Sequence, residues 1–359
     1  MKVMLDARMA FHSGIGRYIR CLSRELLRQS PGLILALLID PREAGRAQQD
    51  IGQADVIPFP AKIYSLQEQA WGSWLCRVSA KRASLFHFPH YNVPWFLPRN
   101  SVVTVHDLTH FQFPQSFGRL RAGLALKLLR RGVRRATQLI AVSHATRQAL
   151  ETMLPEARGK TTVIYHGVEE QFRPLSPLMV EHFKRRTQGG RFFLYVGSAK
   201  PHKNLPRLLE AFGRVRARHR DLSLVLLGVD PPGALNHVQG VRAYRQVGDS
   251  HLALWYNAAE ALVFPSLNEG FGLPALEAMA CGTPVLASNV ASLPEVVGDA
   301  GLLVNPWDTD AWAQEMERLL LDSSLRHDLR AKGLQRASQF SWVTAAEQTL
   351  KLYREVAVG

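Results

Sequence analysis

No apolar run in this sequence approaches the ~20 residues needed to cross a bilayer. The longest, LILALLI (33–39) and LSLVLLGV (222–229), have the length of buried strands. Cysteine is scarce. Cys21, Cys76 and Cys281 lie far apart without paired-ligand spacing, which argues against a disulfide framework and against a zinc site. Lys2, Asp6 and Arg8 come too early for a secretory signal, so a reducing cytoplasm is the expected compartment. Acidic residues are outnumbered, 30 against 44 Lys and Arg, for a net charge of +14. Nearly all of that surplus is in the first half. Residues 1–175 hold 24 Lys and Arg against 12 acids, and residues 176–359 hold 20 against 18. A basic half beside a near-neutral half predicts that the first half faces something anionic. No recognition motif accompanies the charge, so nucleic acid is not the expected partner.

What is present reads as an α/β protein. At 359 residues the chain exceeds what one core usually serves. KVMLDA, LILALLI, SLFHF, SVVTVHD, QLIAVS and TTVIYHGV are apolar runs separated by loops and helical patterns. Such alternation predicts a parallel sheet covered on both faces. EEQFRPLSPLMV (169–180), with two prolines and no period, reads as a linker. The pattern then restarts with RFFLYVGS, LSLVLLGV, ALVFPS, PVLAS and AGLLVNP as strands. DTDAWAQEMERLLLD (308–322) opens on an Asp/Thr capping signal, and no metal-binding motif is assigned. Two Rossmann-like halves are expected, 1–172 and 173–340. Their ligands belong beyond the carboxyl ends of the strands and in the cleft across which the halves face.

NEGFGLPALEAMACG (268–282) places two carboxylates in an apolar setting. Pro274 suits a first helical residue and Gly282 a helix end, which puts Glu277 near the first turn. Gly270 and Gly272 leave backbone N–H donors open, so the helix start is an anion site. Three readings compete for the acids. Glu277 complements the helix dipole and Glu269 is a loop residue; or they form a hydrolytic pair; or they accept hydrogen bonds from the hydroxyls of a nucleotide-sugar.

PSLNEGFGLPALEAMACGTPVLAS closely resembles the glutamate signature of the retaining, nucleotide-sugar-dependent glycosyltransferases of family 4, or group 1. GIGRY, TVHDL, AVSHAT, IYHGV, YVGSAKPHKNLPRLLEAF and SLPEVVGDAGLLVNP follow the family's order over nearly the whole chain. The resemblance implies the GT-B architecture and a catalytic set of His106, Glu269 and Lys203. Glu277 would bind the ribose and Glu269 the sugar hydroxyls. The N–H groups of Gly270, Phe271 and Gly272, with Leu273 behind, would meet the sugar or the diphosphate, while the Phe271 ring packs. Lys203 keeps the family's diphosphate cation. Ser198 stands where the family usually has arginine, with Lys200 or His202 as replacement charge. Gly14, Gly16 and Arg17 would form an N-domain glycine loop shaping the acceptor site, with Tyr18 as core. Asp107 would hold the His106 tautomer or cap the next segment. The resemblance implies no cofactor and no metal; the nucleotide-sugar is a substrate, with a GDP-sugar favoured over a UDP-sugar. VVTVHDL with GSxxPxKNL is most similar to bacterial mannosyl- and rhamnosyltransferases of surface polysaccharide assembly. FSWVTAAEQTLKLYREV resembles the family's last helix, so 341–359 is expected to pack back on the first domain, with Trp342 in packing.

FGRLRAGLALKLLRRGVRRATQ (117–138) carries Arg119, Arg121, Lys127, Arg130, Arg131, Arg134 and Arg135 with no acid, and Leu120, Leu124, Leu128 and Leu129 on an apolar side. It is either a solvated face or a surface drawn to anionic lipid or an acceptor. Many family members act on lipid-linked glycans, which makes a glycan or lipid-linked glycan the expected acceptor and the inner leaflet the expected site of work. Two other classes compete. One is a catalytically silent sugar-nucleotide-binding subunit, kept open by Ser198. The other is a dehydrogenase, opposed by the lack of an acid about 20 residues after the first glycine loop.

Overall fold

A computed structural model describes residues 1–113, 119–187, 190–229, 238–245 and 247–358, without the side chains of residues 13, 119–122 and 124. The chain divides into two compact units, Met1–Gly167 with Ser341–Gly359, and Val168–Phe340.

Unit 1 is built on seven parallel strands: β1 (Lys2–Asp6), β2 (Ile34–Ile39), β3 (Asp55–Pro58), β4 (Leu85–Phe88), β5 (Ser101–Val105), β6 (Gln138–Ala141) and β7 (Thr161–Val163). Their order is β3-β2-β1-β4-β5-β6-β7. Val3 pairs with Leu35 on one side and with Leu85 on the other. Every residue of β4 and β5 is buried, as expected of strands covered on both faces. Successive side chains of β1 point to opposite faces. Val3 and Leu5 join Tyr18 and Leu22 of helix Ser13–Gln29 and Leu350 and Tyr353 of helix Trp342–Val358. Met4 joins the opposite cluster, with Leu75 of helix Leu66–Ser79 and Leu129 and Val133 of helix Arg119–Arg135.

Unit 2 repeats the plan with β8 (Phe192–Val196), β9 (Ser223–Leu227), β10 (Val241–Tyr244), β11 (Ala261–Phe264), β12 (Val285–Ser288) and β13 (Leu302–Val304), ordered β10-β9-β8-β11-β12-β13. Its core gathers Phe193, Tyr195, Phe212, Val263, Leu286 and Trp312.

Several elements depart from the sequence reading. Helix Ser13–Gln29 starts early enough to contain Gly14, Gly16 and Arg17, so these are helical residues and not a glycine loop. Gly16 serves close packing, since a Cβ there would lie 2.6 Å from the Ala10 carbonyl oxygen. The expected linker contains the start of a helix, Pro177–Arg186, capped by Ser176. Unit 1 ends at Gly167, ahead of the expected boundary after 172. The Val168 N–H donates to the Phe340 carbonyl at 3.3 Å, and Phe172 packs edge-on to Tyr256 at 5.9 Å, which draws 168–172 into unit 2. Among the described residues no helix is long and apolar enough to cross a membrane.

Candidate functional site

Open parallel sheets bind ligands where the strand order reverses. In unit 2 that point lies between β8 and β11. The segments after these two strands carry Lys203 and Glu269. Lys203 closes the 3-10 turn Pro201–Lys203, and its Nζ lies 2.5 Å from Glu269 Oε1, both side chains largely buried. The Leu267 N–H donates to the His202 carbonyl at 2.7 Å and ties the two segments together. Asn204 takes a left-handed conformation, φ 57°, and its Nδ2 donates to the Pro306 carbonyl at 2.8 Å. This turns the chain into helix Leu205–Arg218. The sequence assigned Lys203 and Glu269 to different parts of a ligand; the fold pairs them.

The glycine stretch is shaped by Ser292, whose role the sequence reading did not anticipate. Its buried hydroxyl lies 3.0 Å from the Glu269 carbonyl and 2.9 Å from that of Phe271, sharing one proton between them. Gly272 has φ +101°, which favours glycine, and a Cβ there would come within 2.8 Å of Leu293 Cδ2, so that side chain would have to shift. Helix Leu273–Ala280 follows, with Pro274 second rather than first. Gly270 is half-buried, and the Phe271 ring is buried edge-on against Phe340 at 5.7 Å.

Glu277 lies beyond the first helical turn, so it does not serve the helix dipole as the simplest reading had it. It is 2% exposed, and the Tyr256 hydroxyl donates to its Oε2 at 2.8 Å. Burial, reinforced by the Glu277 charge, pushes the neighbouring Cys281 thiol up to about 12. Ser198 is half-buried and its carbonyl accepts from the Tyr195 hydroxyl at 2.7 Å. Lys200 is exposed and precedes the 3-10 turn, whereas His202 is buried. Asp308 caps helix Thr309–Leu321, accepting from the Ala311 N–H at 2.9 Å, and Asp310 pairs with Arg214.

In unit 1, His106 follows β5. Its Nε2 lies 2.9 Å from the Pro89 carbonyl oxygen. A carbonyl only accepts, so Nε2 carries the proton and Nδ1 keeps its lone pair. Burial lowers the His106 pKa to about 4, with Asp107 and Pro89 opposing the shift, so the ring is neutral at pH 7. Tyr18 packs edge-on to His106 at 4.8 Å and hydrogen-bonds the Thr104 hydroxyl at 3.0 Å. Thr104 also meets His87 Nε2 at 2.8 Å, and His87 Nδ1 meets the Tyr353 hydroxyl at 2.5 Å. The tautomer is therefore set by Pro89 and not by Asp107. Asp107 accepts at 2.8 Å from the N–H of Thr109, the first residue of the short helix Thr109–Gln112, whose N-cap position is Leu108. Where the order of the first sheet reverses, between β1 and β4, Arg8 Nη2 bridges Asp6 at 2.5 Å and Glu68 at 2.7 Å, a buried cluster the sequence did not announce.

The basic run forms helix Arg119–Arg135, with the side chains of Arg119 and Arg121 outside the described residues. Lys127, Arg130, Arg134 and Arg135 are exposed and Arg131 is half-buried. Arg134 pairs with Glu156 at 2.8 Å.

These features agree with what the chain is similar to. Residues 190–322 match the family described as glycosyl transferases group 1, and residues 12–172 that described as glycosyltransferase family 4. O-antigen chain mannosyltransferase B of Escherichia coli is 33% identical over 311 residues, 83% of this chain and 80% of the relative. O-antigen chain mannosyltransferase RfbU of Salmonella typhimurium is 29% identical over 278 residues, 74% of each chain. The sucrose-phosphate synthase structure from Thermosynechococcus elongatus superposes with a TM-score of 0.80 over 99% of both chains at 23% identity, which shows the shared GT-B fold. On the glutamate signature, the paired Rossmann-like sheets and the mannosyltransferase relatives, the chain belongs to the group 1, family 4 glycosyltransferases.

Proposed function

We propose that this glycosyltransferase moves mannose or rhamnose from a GDP-sugar, with retention, to a lipid-linked or polysaccharide acceptor in bacterial surface glycan synthesis. The similarity to O-antigen chain mannosyltransferases supports the sugar and the setting. The observation that carries the chemistry is the Lys203–Glu269 pair at the strand-order reversal of unit 2.

Glu277, held by Tyr256, accepts from the ribose hydroxyls. The arriving diphosphate draws Lys203 away from Glu269, and the released carboxylate accepts from sugar hydroxyls. The backbone of Gly270, Phe271, Gly272 and Leu273, with Ser198 and Lys200 from the facing segment of the same unit, lines the donor. As the bond from the anomeric carbon to the diphosphate oxygen breaks, negative charge builds on the leaving group and Lys203 stabilises it. The acceptor oxygen bonds to the same face of that carbon, and its proton passes to the departing diphosphate. His106, neutral and with Nδ1 as an acceptor, serves a hydroxyl of the transferred sugar. Following the family, the reaction uses no metal and no cofactor. Helix Arg119–Arg135 and the basic first half hold the enzyme peripherally at the anionic inner leaflet.

Thermal shift with GDP, UDP, ADP and NAD tests the donor, because a ligand bound only by the folded state raises the melting temperature. GDP is expected to give the largest rise. A larger rise with UDP would move the donor to a UDP-sugar, and NAD alone acting would overturn the donor reading. Proton NMR of the product reads the anomeric configuration, and inversion would overturn the proposed displacement.

A further inference from the structure

A membrane-surface helix ordinarily offers charge on one side and an apolar face to the lipid. Among its described side chains, helix Arg119–Arg135 shows no exposed large apolar group. Leu129 and Val133 are buried in the core of unit 1, and Ala125 and Leu126 pack against that core. Its exposed side chains, among those described, are cations, and exposed apolar groups lie on a neighbouring helix.

That neighbour is helix Leu66–Ser79. Leu66, Trp74 and Val78 are 78%, 57% and 51% exposed, at spacings that share a helical face. Both helices dock on one loop through glycines. A Cβ at Gly72 would lie 3.1 Å from Pro94, and one at Gly132 would lie 3.2 Å from Val93. The next residue, Trp95, is 47% exposed. It is held from both sides: Arg131 donates to its carbonyl, and the Phe96 N–H donates to Ser73 Oγ at 3.0 Å. Between the helices lies an open groove of about 430 Å³, lined by Trp74, Arg77, Trp95, Phe96, Arg131 and Arg135. A second depression of about 270 Å³ is lined by Lys127, Arg130, Arg131, Arg134 and Arg135. No carboxylate lines either one, among the described residues.

We propose that this groove is the membrane-docking surface, with Trp74 and Trp95 as interfacial anchors and Arg77, Arg131 and Arg135 seating the phosphates of an anionic bilayer. Tryptophan belongs at the headgroup level, where one end of its ring system is apolar and the other wet. Arginine binds phosphate bidentately, and the positive groove complements an anionic leaflet and no neutral one. The inference rests on the peripheral membrane reading given above and adds an apolar anchor to the cations of the basic helix.

The test uses the full chain with vesicles of phosphatidylglycerol in phosphatidylcholine, and with phosphatidylcholine alone. The wild type is expected to float with the anionic vesicles only. Brominated acyl chains are expected to quench its tryptophan emission. Trp74→Ala with Trp95→Ala should weaken partitioning about tenfold and remove most of the quenching. Arg77→Glu with Arg135→Glu should weaken it by more than about tenfold, since each basic side chain near the surface is worth roughly fivefold. The substituted side chains are exposed, and the quenching of the wild type needs no variant. Wild type that binds anionic vesicles with no quenching, and a tryptophan variant that binds as well, would overturn the anchor and leave the basic-helix reading standing. Equal binding to neutral vesicles would overturn the role of the arginines. No binding to either would overturn the membrane reading and this inference together, and leave the transferase reading untouched.

Discussion

Glu277 is a carboxylate in a dry place, and the Tyr256 hydroxyl donates to it. A hydrogen bond to a buried charge contributes more than one between neutral groups, about 1.5–3 kcal/mol. Tyr256→Phe removes that donor. Titration calorimetry is expected to show GDP affinity falling roughly tenfold, with Glu277→Ala falling further; if both variants bound GDP as tightly as the wild type, Glu277 would not be the ribose ligand. The buried histidines make a second residue-scale effect. Burial, with the His106 charge adding to it, takes His87 to about 3, and burial takes His106 to about 4, against an ordinary 6.5. Between those values and 6.5 the unfolded chain binds protons that the folded chain does not. Stability therefore rises with pH through this window and is lost as pH falls from about 6.5 towards 4 and 3. Melting temperatures measured from pH 7 down to 4 should drop, and His87→Gln should flatten the slope. An unchanged slope would mean that His87 does not titrate on unfolding.

Among the elements, helix Ser13–Gln29 holds two glycines with different reasons to be there. Gly14 faces open space, so alanine at that position should stabilise the helix by about 0.5–1 kcal/mol. Gly16 lies under the Met9 and Ala10 carbonyls, and alanine there has to push the helix off its loop. Denaturant melts of Gly14→Ala and Gly16→Ala should move in opposite directions, the second losing about 1–3 kcal/mol as an overpacked site does. The G-x-G spacing made both look like one loop, because spacing carries no information about which carbonyls lie above a helix. Short elements were equally hard to read. β3 is DVIP, four residues with a proline at its end, and helix Leu66–Ser79 mixes Trp71, Gly72 and Trp74 in a pattern without a clear apolar period. By contrast, LILALLI and SVVTV show as strands from sequence, since strands buried on both faces have to be continuously apolar.

For the whole molecule, unit 1 is completed by residues from the far end of the chain. Trp342, Leu350, Tyr353 and Val356 belong to its core. A chain ended after Phe340 should lose the cooperative melting of unit 1, while unit 2, whose residues are contiguous, keeps a GDP-dependent melting shift. Two surviving transitions in the truncated chain would show that the last helix is dispensable. The sequence by itself determined the α/β class, the parallel order implied by continuous apolar strands and the family, and it singled out Lys203, Glu269 and Glu277 as candidates, because periodicity and local motifs are properties of neighbours along the chain. Only the tertiary structure decided that Lys203 meets Glu269 across 66 positions, that Tyr256 donates to Glu277, that Pro89 and not Asp107 sets the His106 tautomer, and that Leu129 and Val133 of the basic helix are spent on the core. The reason is physical. Hydrogen bonds and ion pairs act over about 3 Å, and folding alone brings residues far apart in sequence to that distance.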